Sequence, residues 1–270
     1  MNNDLVLLEI QDRVGLLTLN HPEKRNALSR EMLLALKAKL ESIQDNDAVG
    51  VVILKANGPV FSSGHDLREL VDKPYKDHAD LFALCSEVMQ LIQRMPQPVI
   101  AQVQGLATAA GCQLVATCDL AVASDNAQFA TPGVKIGLFC TTPGVALARA
   151  VSQKKAMEML LTGNPISAAE AERAGLINRV VQQEHLGPET MTLARHIALA
   201  SAEIVAIGKA AFYEQINLSC SEAYEAAGKV MAENAIAEDA QEGIKAFLEK
   251  RKPEWKSHKR AVGSPPGTGL

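Results

Sequence analysis

The chain has 270 residues, 47% of them hydrophobic, enough to bury a sizeable core in one large domain or a core with an appendage, which excludes disorder as the main state. Twenty-seven basic and 31 acidic residues leave a net charge of −4, so no global positive field exists to hold nucleic acid or an anionic membrane. Aromatic residues make up 4%, which reads against base-stacking platforms and aromatic-rich sandwiches and leaves Ala, Val, Leu and Gly to fill the core.

Apolar runs at 5–10 and 14–19, separated by 11–13, predict an opening hairpin. After a loop at 20–27, Ser29 is the expected N-cap, with Glu31 in the first turn, of a helix ending near Asn46. Residues 49–54 read as a buried strand, 76–95 as a helix stopped by Pro96 and Pro98, and 99–103 as a further buried strand. Small residues at 105–116 lead into a short helix, and 120–123 and 128–130 are short strands. Thr142 is the expected cap of a helix that starts at Pro143 and runs through Ala150, and 152–161 forms another, closed by Gly163. Ser167 and Glu170 form a capping box, Gly175 ends that helix, and 177–181 is a strand. From about Pro188 onward the spacing is helical, including 203–216, 221–237 and 239–251. The expected fold class is therefore α/β with alternating strands and helices. The Gly- and Pro-containing tail, 257–270, is expected to be disordered.

Cys85, Cys112, Cys118, Cys140 and Cys220 are odd in number and lack metal-site spacing, so no metal site is expected and a reducing compartment is. Residues 1–4 run straight into the first strand without a basic segment ahead of an apolar one. No apolar run reaches the roughly 20 residues that span a bilayer. The expected location is the cytoplasm, with no membrane and no nucleic acid among the partners.

Three Gly-containing stretches fall at strand-to-helix junctions: Phe61-Ser-Ser-Gly-His-Asp-Leu67, Gln104-Gly-Leu-Ala-Thr-Ala-Ala-Gly-Cys-Gln113 and Thr131-Pro-Gly-Val-Lys-Ile-Gly-Leu138. None is a phosphate loop or a dinucleotide fingerprint. Small residues there either permit close helix-to-strand packing or expose unpaired N–H groups at the positive end of a helix, where an oxyanion is stabilised.

In this order the three stretches resemble the crotonase, or enoyl-CoA hydratase/isomerase, family, together with His21-Pro-Glu-Lys-Arg-Asn-Ala-Leu28, Cys118-Asp-Leu120, Phe129-Ala-Thr-Pro132 and Ala246-Phe-Leu-Glu-Lys-Arg-Lys252. The resemblance implies a ββα spiral core over 1–200 and a C-terminal helical region over 201–256 that packs trimers, commonly a dimer of trimers. It implies an acyl-CoA substrate from fatty-acid or related metabolism, with no cofactor beyond the coenzyme A that is part of the substrate. It assigns the oxyanion-hole donors to Ser63 N–H and Ala110 N–H, and coenzyme A contacts to Lys24, Arg25, Ser63, Asp66, Leu67, Phe247 and Lys250. Six basic residues against two acidic ones over 249–260 give a local charge of +4, suited to an anionic phosphate or to a helix C-terminus.

Hydration needs one group to deprotonate water and another to protonate the α-carbon. At the positions of the family's two glutamates this chain has Gln113 and Gly133, neither of which exchanges a proton near neutrality. Ordinary hydration is therefore doubtful, and restoring both glutamates would show whether the missing acids are the only defect. His65 and Thr141 are the remaining candidates, with Cys140 read as a core thiol and Glu69 as facing solvent. Decarboxylation of a malonyl-type thioester, thioester hydrolysis and acyl-CoA binding without catalysis stand as alternatives.

Overall fold

The opening hairpin closes more tightly than the apolar runs suggest. In the computed structural model, which describes residues 4–257, β1 (Val6–Gln11) and β2 (Val14–Leu19) pair antiparallel around the two-residue turn Asp12-Arg13. Both turn residues have positive φ, 49° and 65°, which gives the twist a two-residue hairpin requires. Ser29 accepts from Met32 N and starts α1 (Arg30–Gln44), whose Met32, Leu33, Leu36, Leu40 and Ile43 are buried. Glu69, expected in solvent, instead accepts the Arg30 N–H at 2.9 Å; its carboxylate faces the orphan amides and positive end of that helix.

β3 (Val51–Ala56) follows, then β4 (Val60–Ser62), α2 (Tyr75–Arg94), β5 (Val99–Val103), β6 (Leu106–Thr108), α3 (Ala110–Thr117), β7 (Leu120–Ser124) and β8 (Gln128–Ala130). The chain continues through α4 (Thr141–Ala150), α5 (Gln153–Thr162), β9 (Ile166–Ser167), α6 (Ala168–Ala174), β10 (Arg179–Val181), α7 (Leu186–Ala198), α8 (Ala202–Gln215), α9 (Cys220–Ala235) and α10 (Glu238–Leu248). The larger sheet has the order β1-β2-β3-β5-β7-β10, parallel from β2 onward, and the smaller has the order β4-β6-β8-β9. Only β8 was legible as a strand of the smaller sheet. All four strands of that sheet are two or three residues long, and pairing with their neighbours defines them as strands.

Two capping expectations need correction. α4 begins at Thr141 with Cys140 at the N-cap and no side-chain cap, so Thr142 lies inside the first turn. Ser167 does cap Glu170 N, but Glu170 turns its carboxylate to Lys155 Nζ at 2.8 Å and leaves the box half made.

The C-terminal helices are tied down by two carboxylates, Asp119, which is partly buried, and Asp239, which is fully buried. Lys209 on α8 reaches Asp119 Oδ2 at 2.8 Å and the carbonyls of Ile92 and Gln97. Asp239 on α10 accepts from Ser201 Oγ and Ser257 Oγ, each at 2.6 Å, and from Lys256 N at 2.7 Å. Burial opposes the Asp239 charge, yet these hydrogen bonds outweigh it and hold the carboxyl below its ordinary range. Ser257 is thus fastened, contrary to the expected tail boundary, and 258–270 lie outside the described residues.

Candidate active site

The loop ahead of α1 organises the site. Asn26 is fully buried at φ 49°, a left-handed conformation that asparagine tolerates. It accepts from His21 N and donates to Asn57 O and Val60 O. Its own carbonyl receives Ser62 Oγ–H at 2.9 Å. Sequence reasoning passed over this residue, although an Asn between charged and apolar residues in a loop is the available signal.

Here the first donor assignment changes. Ser63 N–H donates to Arg25 O at 3.0 Å, so it is already in use within the loop. Two residues on, no acceptor for His65 N–H is found among the described residues, and Ala110 N–H, in the first turn of α3, likewise has none. First-turn amides have no intrahelical partner.

Glycine lets the two segments meet. Gly64 has φ +83°, and a Cβ there would stand 2.8 Å from Ala109 Cβ and 3.2 Å from Ala110 N. A Cβ on Gly111 would lie 2.5 Å from Ser62 O. Ala110, as a helical residue, bears its methyl without strain; the strained position is Ala109, with φ 51° and ψ −121°. Non-glycine residues persist in such conformations only where their surroundings impose them.

Ser63, His65, Ala110, Gly133 and Thr141 border one cavity of about 380 Å³. Leu67, Leu70, Phe82, Ile136, Leu138 and Phe139 supply much of its apolar wall, and among the described residues no Asp or Glu lines it. Thr141 Oγ donates to Phe139 O at 3.2 Å. Cys140 is buried, and its sulfur accepts from Gly133 N at 3.3 Å. Burial raises its pKa above that of an ordinary thiol, leaving a thiol rather than a thiolate nucleophile. Gln113 is buried with Oε1 unpartnered, as is Thr131 with Oγ1, but neither lines the cavity.

The residues assigned to coenzyme A divide into two groups. Lys24 and Arg25 are exposed beside the 61–67 segment, with the Lys24 charge acting on Asp66. Asp66 is clamped by Arg68 at 2.6 Å, and that hydrogen bond is the main cause holding its carboxyl below the usual range. Leu67 is half exposed. Phe247 and Lys250 lie at the end of α10, which packs on α8 and α9, and Phe247 is 82% exposed. The local positive charge is partly spent: Arg251 pairs with Glu242 and Glu249, and Lys256 with Glu238. Among the described residues no group of three or more His, Cys, Asp or Glu could hold a metal ion, and no single helix is long and apolar enough to cross a membrane.

The spiral of strands and helices and the junction of the 61–67 segment with α3 define the class: the chain belongs to the enoyl-CoA hydratase/isomerase family, whose sequence profile matches residues 9–259. It is 54% identical over 246 residues to the mouse (Mus musculus) enoyl-CoA hydratase domain-containing protein 3, mitochondrial, covering 91% of this chain and 82% of that protein. The crystal structure of the human protein of that designation aligns with a TM-score of 0.91 at 52% identity, covering 93% of this chain and all of that one. An enoyl-CoA hydratase from Mycobacterium smegmatis aligns with the same TM-score at 49% identity, over 94% of this chain and 99% of that one.

The cytoplasmic expectation is corrected by these relatives, since the mouse and human proteins are both designated mitochondrial. It rested on the first few residues and on cysteine usage. A targeting segment lies outside the packed fold, so the folded domain carries no mark of its compartment.

Proposed function

We propose that the protein binds an acyl-CoA thioester and stabilises its enolate, with His65 N–H and Ala110 N–H as the two donors to the thioester oxygen. The observation that carries this reading is that His65 and Ala110, whose amides have no acceptor among the described residues, both line one largely apolar cavity. Donors aimed at developing charge act most strongly where water is excluded. Gln113 and Gly133 stand where the family's hydratases have glutamates, and the lack of any cavity carboxylate supports chemistry that needs the oxyanion hole without a strong acid-base pair. Loss of CO₂ from a malonyl-type thioester is one such reaction, since bond cleavage itself generates the enolate.

Exchange of the α-protons of butyryl-CoA in D₂O reports enolate formation directly. Only proline deletes a backbone N–H, and the first helical position tolerates it. Ala110→Pro is expected to lower exchange, or turnover of a malonyl-type thioester, by about 10²–10³-fold with the circular dichroism unchanged. Unchanged rates in a folded variant would remove Ala110 from the oxyanion hole.

The same reading includes self-association as a trimer or a dimer of trimers. Tyr224, Met231, Ile236, Phe247 and Leu248 on and beside α9 and α10 are 67–82% exposed, an apolar surface that a second copy would cover. That contact would carry Phe247 and Lys250 to a neighbouring molecule's coenzyme A. Sedimentation is expected to give a trimer or a hexamer, and a monomer at micromolar concentration would refute this part of the reading.

A further inference from the structure

Ser62 sits between the two segments that carry the amide donors. It is fully buried at the end of β4, just past an irregularity in the pairing of β4 with β6 between Val60 and Ser62, a feature that re-aims a side chain. Its hydroxyl donates to Asn26 O at 2.9 Å and accepts the Gly64 N–H at 3.3 Å. Gly64 is buried, and that oxygen is the one acceptor its amide has among the described residues. The next peptide is held from the other side, where Gly64 O accepts from Leu28 N at 2.7 Å. A trans peptide points its N–H opposite to its C=O, so anchoring Gly64 O on Leu28 directs the His65 N–H away from Leu28. Ser62 also meets the other donor segment. A Cβ on Gly111 would stand 2.5 Å from the Ser62 carbonyl oxygen and 2.8 Å from its Cβ, so α3 touches Ser62 one residue past Ala110.

One side chain thus bears on the direction of the first donor and on its distance from the second. Resting on the enolate reading above, we propose that Ser62 is a positioning residue that holds the Gly64–His65 peptide against the first turn of α3, so that the two amides converge. Ser62 does not line the cavity and acts only through these amides. Ser62→Ala leaves the Gly64 N–H and Asn26 O unpaired in the interior, and the peptide turns to recover a partner. A donor displaced by about an ångström loses much of its effect on charge that develops in the transition state. Ground-state binding, spread over the whole thioester, changes little.

The rate is read as α-proton exchange of butyryl-CoA in D₂O or as turnover of a malonyl-type thioester, and the affinity by calorimetric titration with butyryl-CoA. Ser62→Ala is expected to lower the rate by about 10–100-fold with the Kd nearly unchanged. Ser124→Ala is the control, because Ser124 is equally buried, donates to Asn126 Oδ1 at 2.6 Å and does not line the cavity. It loses a comparable hydrogen bond and is expected to keep its rate. Ser62→Cys, whose sulfur is a weak donor and acceptor, should lose rate as Ser62→Ala does, and it decides the matter if Ser62→Ala does not fold. An unchanged rate in the folded Ser62 variant, an equal fall in Ser124→Ala, or a loss of affinity as large as the loss of rate overturns the proposal. If the unaltered protein shows neither exchange nor turnover, the enolate reading fails and takes this proposal with it. A rate that survives Ser62→Ala leaves that reading standing and removes Ser62 alone.

Discussion

Crotonyl-CoA hydration is expected to run well over tenfold below a typical turnover of about 10 s⁻¹, and Gln113→Glu combined with Gly133→Glu does not restore it. The sequence left open whether the missing acids are the only defect, but the structure shows that position 133 has no room for one. A Cβ on Gly133 would stand 1.9 Å from Leu138 O and 2.7 Å from Cys140 Sγ. The loop is closed over the glycine by Leu138 N donating to Gly133 O at 2.9 Å and by Gly133 N donating to the Cys140 sulfur. Gly137, at φ +77°, makes the turn between them. Even Gly133→Ala forces this loop open, an overpacking cost of about 1–3 kcal/mol or more, which corresponds to a fall in Tm of roughly 2–12 °C. Calorimetry of the Ala variant and a hydration assay of the double Glu variant check both halves. Hydration near 10 s⁻¹ by the unaltered protein, or restored hydration at an unchanged Tm, would contradict the account.

Asp119→Ala is expected to destabilise the fold by about 3–5 kcal/mol, because it strands the Lys209 ammonium inside the protein. Their side chains are only 6% and 14% exposed for Lys209 and Asp119 respectively. Asp119 also accepts from Val99 N at 2.7 Å and from the Tyr213 hydroxyl at 2.9 Å, so one carboxylate joins β5, β7 and α8. Burial lowers the Lys209 pKa, and the Asp119 charge opposes that shift. Without Asp119 the lysine loses its proton at still lower pH in the folded state, while the unfolded chain keeps it until about pH 10.4. Across that window the unfolded state binds more protons, so stability rises with pH. The Asp119→Ala penalty is therefore largest at neutral pH and shrinks toward pH 10. Adding Lys209→Met should recover part of the loss, since the pair is coupled. Urea titrations at pH 7 and pH 10 measure both effects, and a loss under 1 kcal/mol at pH 7 would show that the pair is not buried as described.

The hydratase and ion-pair expectations show where local reading stops. Glycine at 133 was visible, but the carbonyl of Leu138 that excludes a side chain there is a matter of loop closure. Cys118-Asp-Leu120 entered only as part of the family resemblance, while Lys209, the partner of Asp119, lies 90 residues away on α8. Ser63 failed as a donor for the same reason: its amide is taken by Arg25 O from a different loop, and amide direction has no signature in side-chain order.

What the sequence determined by itself was the alternation of apolar strands and amphipathic helices, the helix starts at Ser29 and Ser167, and the order of small-residue junctions that marks the family. These depend on contacts within a few residues, where periodicity, capping and turn chemistry act. Tertiary structure alone decided which amides stay free, which carboxylates are buried, and whether a glycine is empty space or a filled corner. Those outcomes depend on groups that approach from distant segments at distances near 3 Å, where a shift of one atom exchanges a hydrogen bond for a clash.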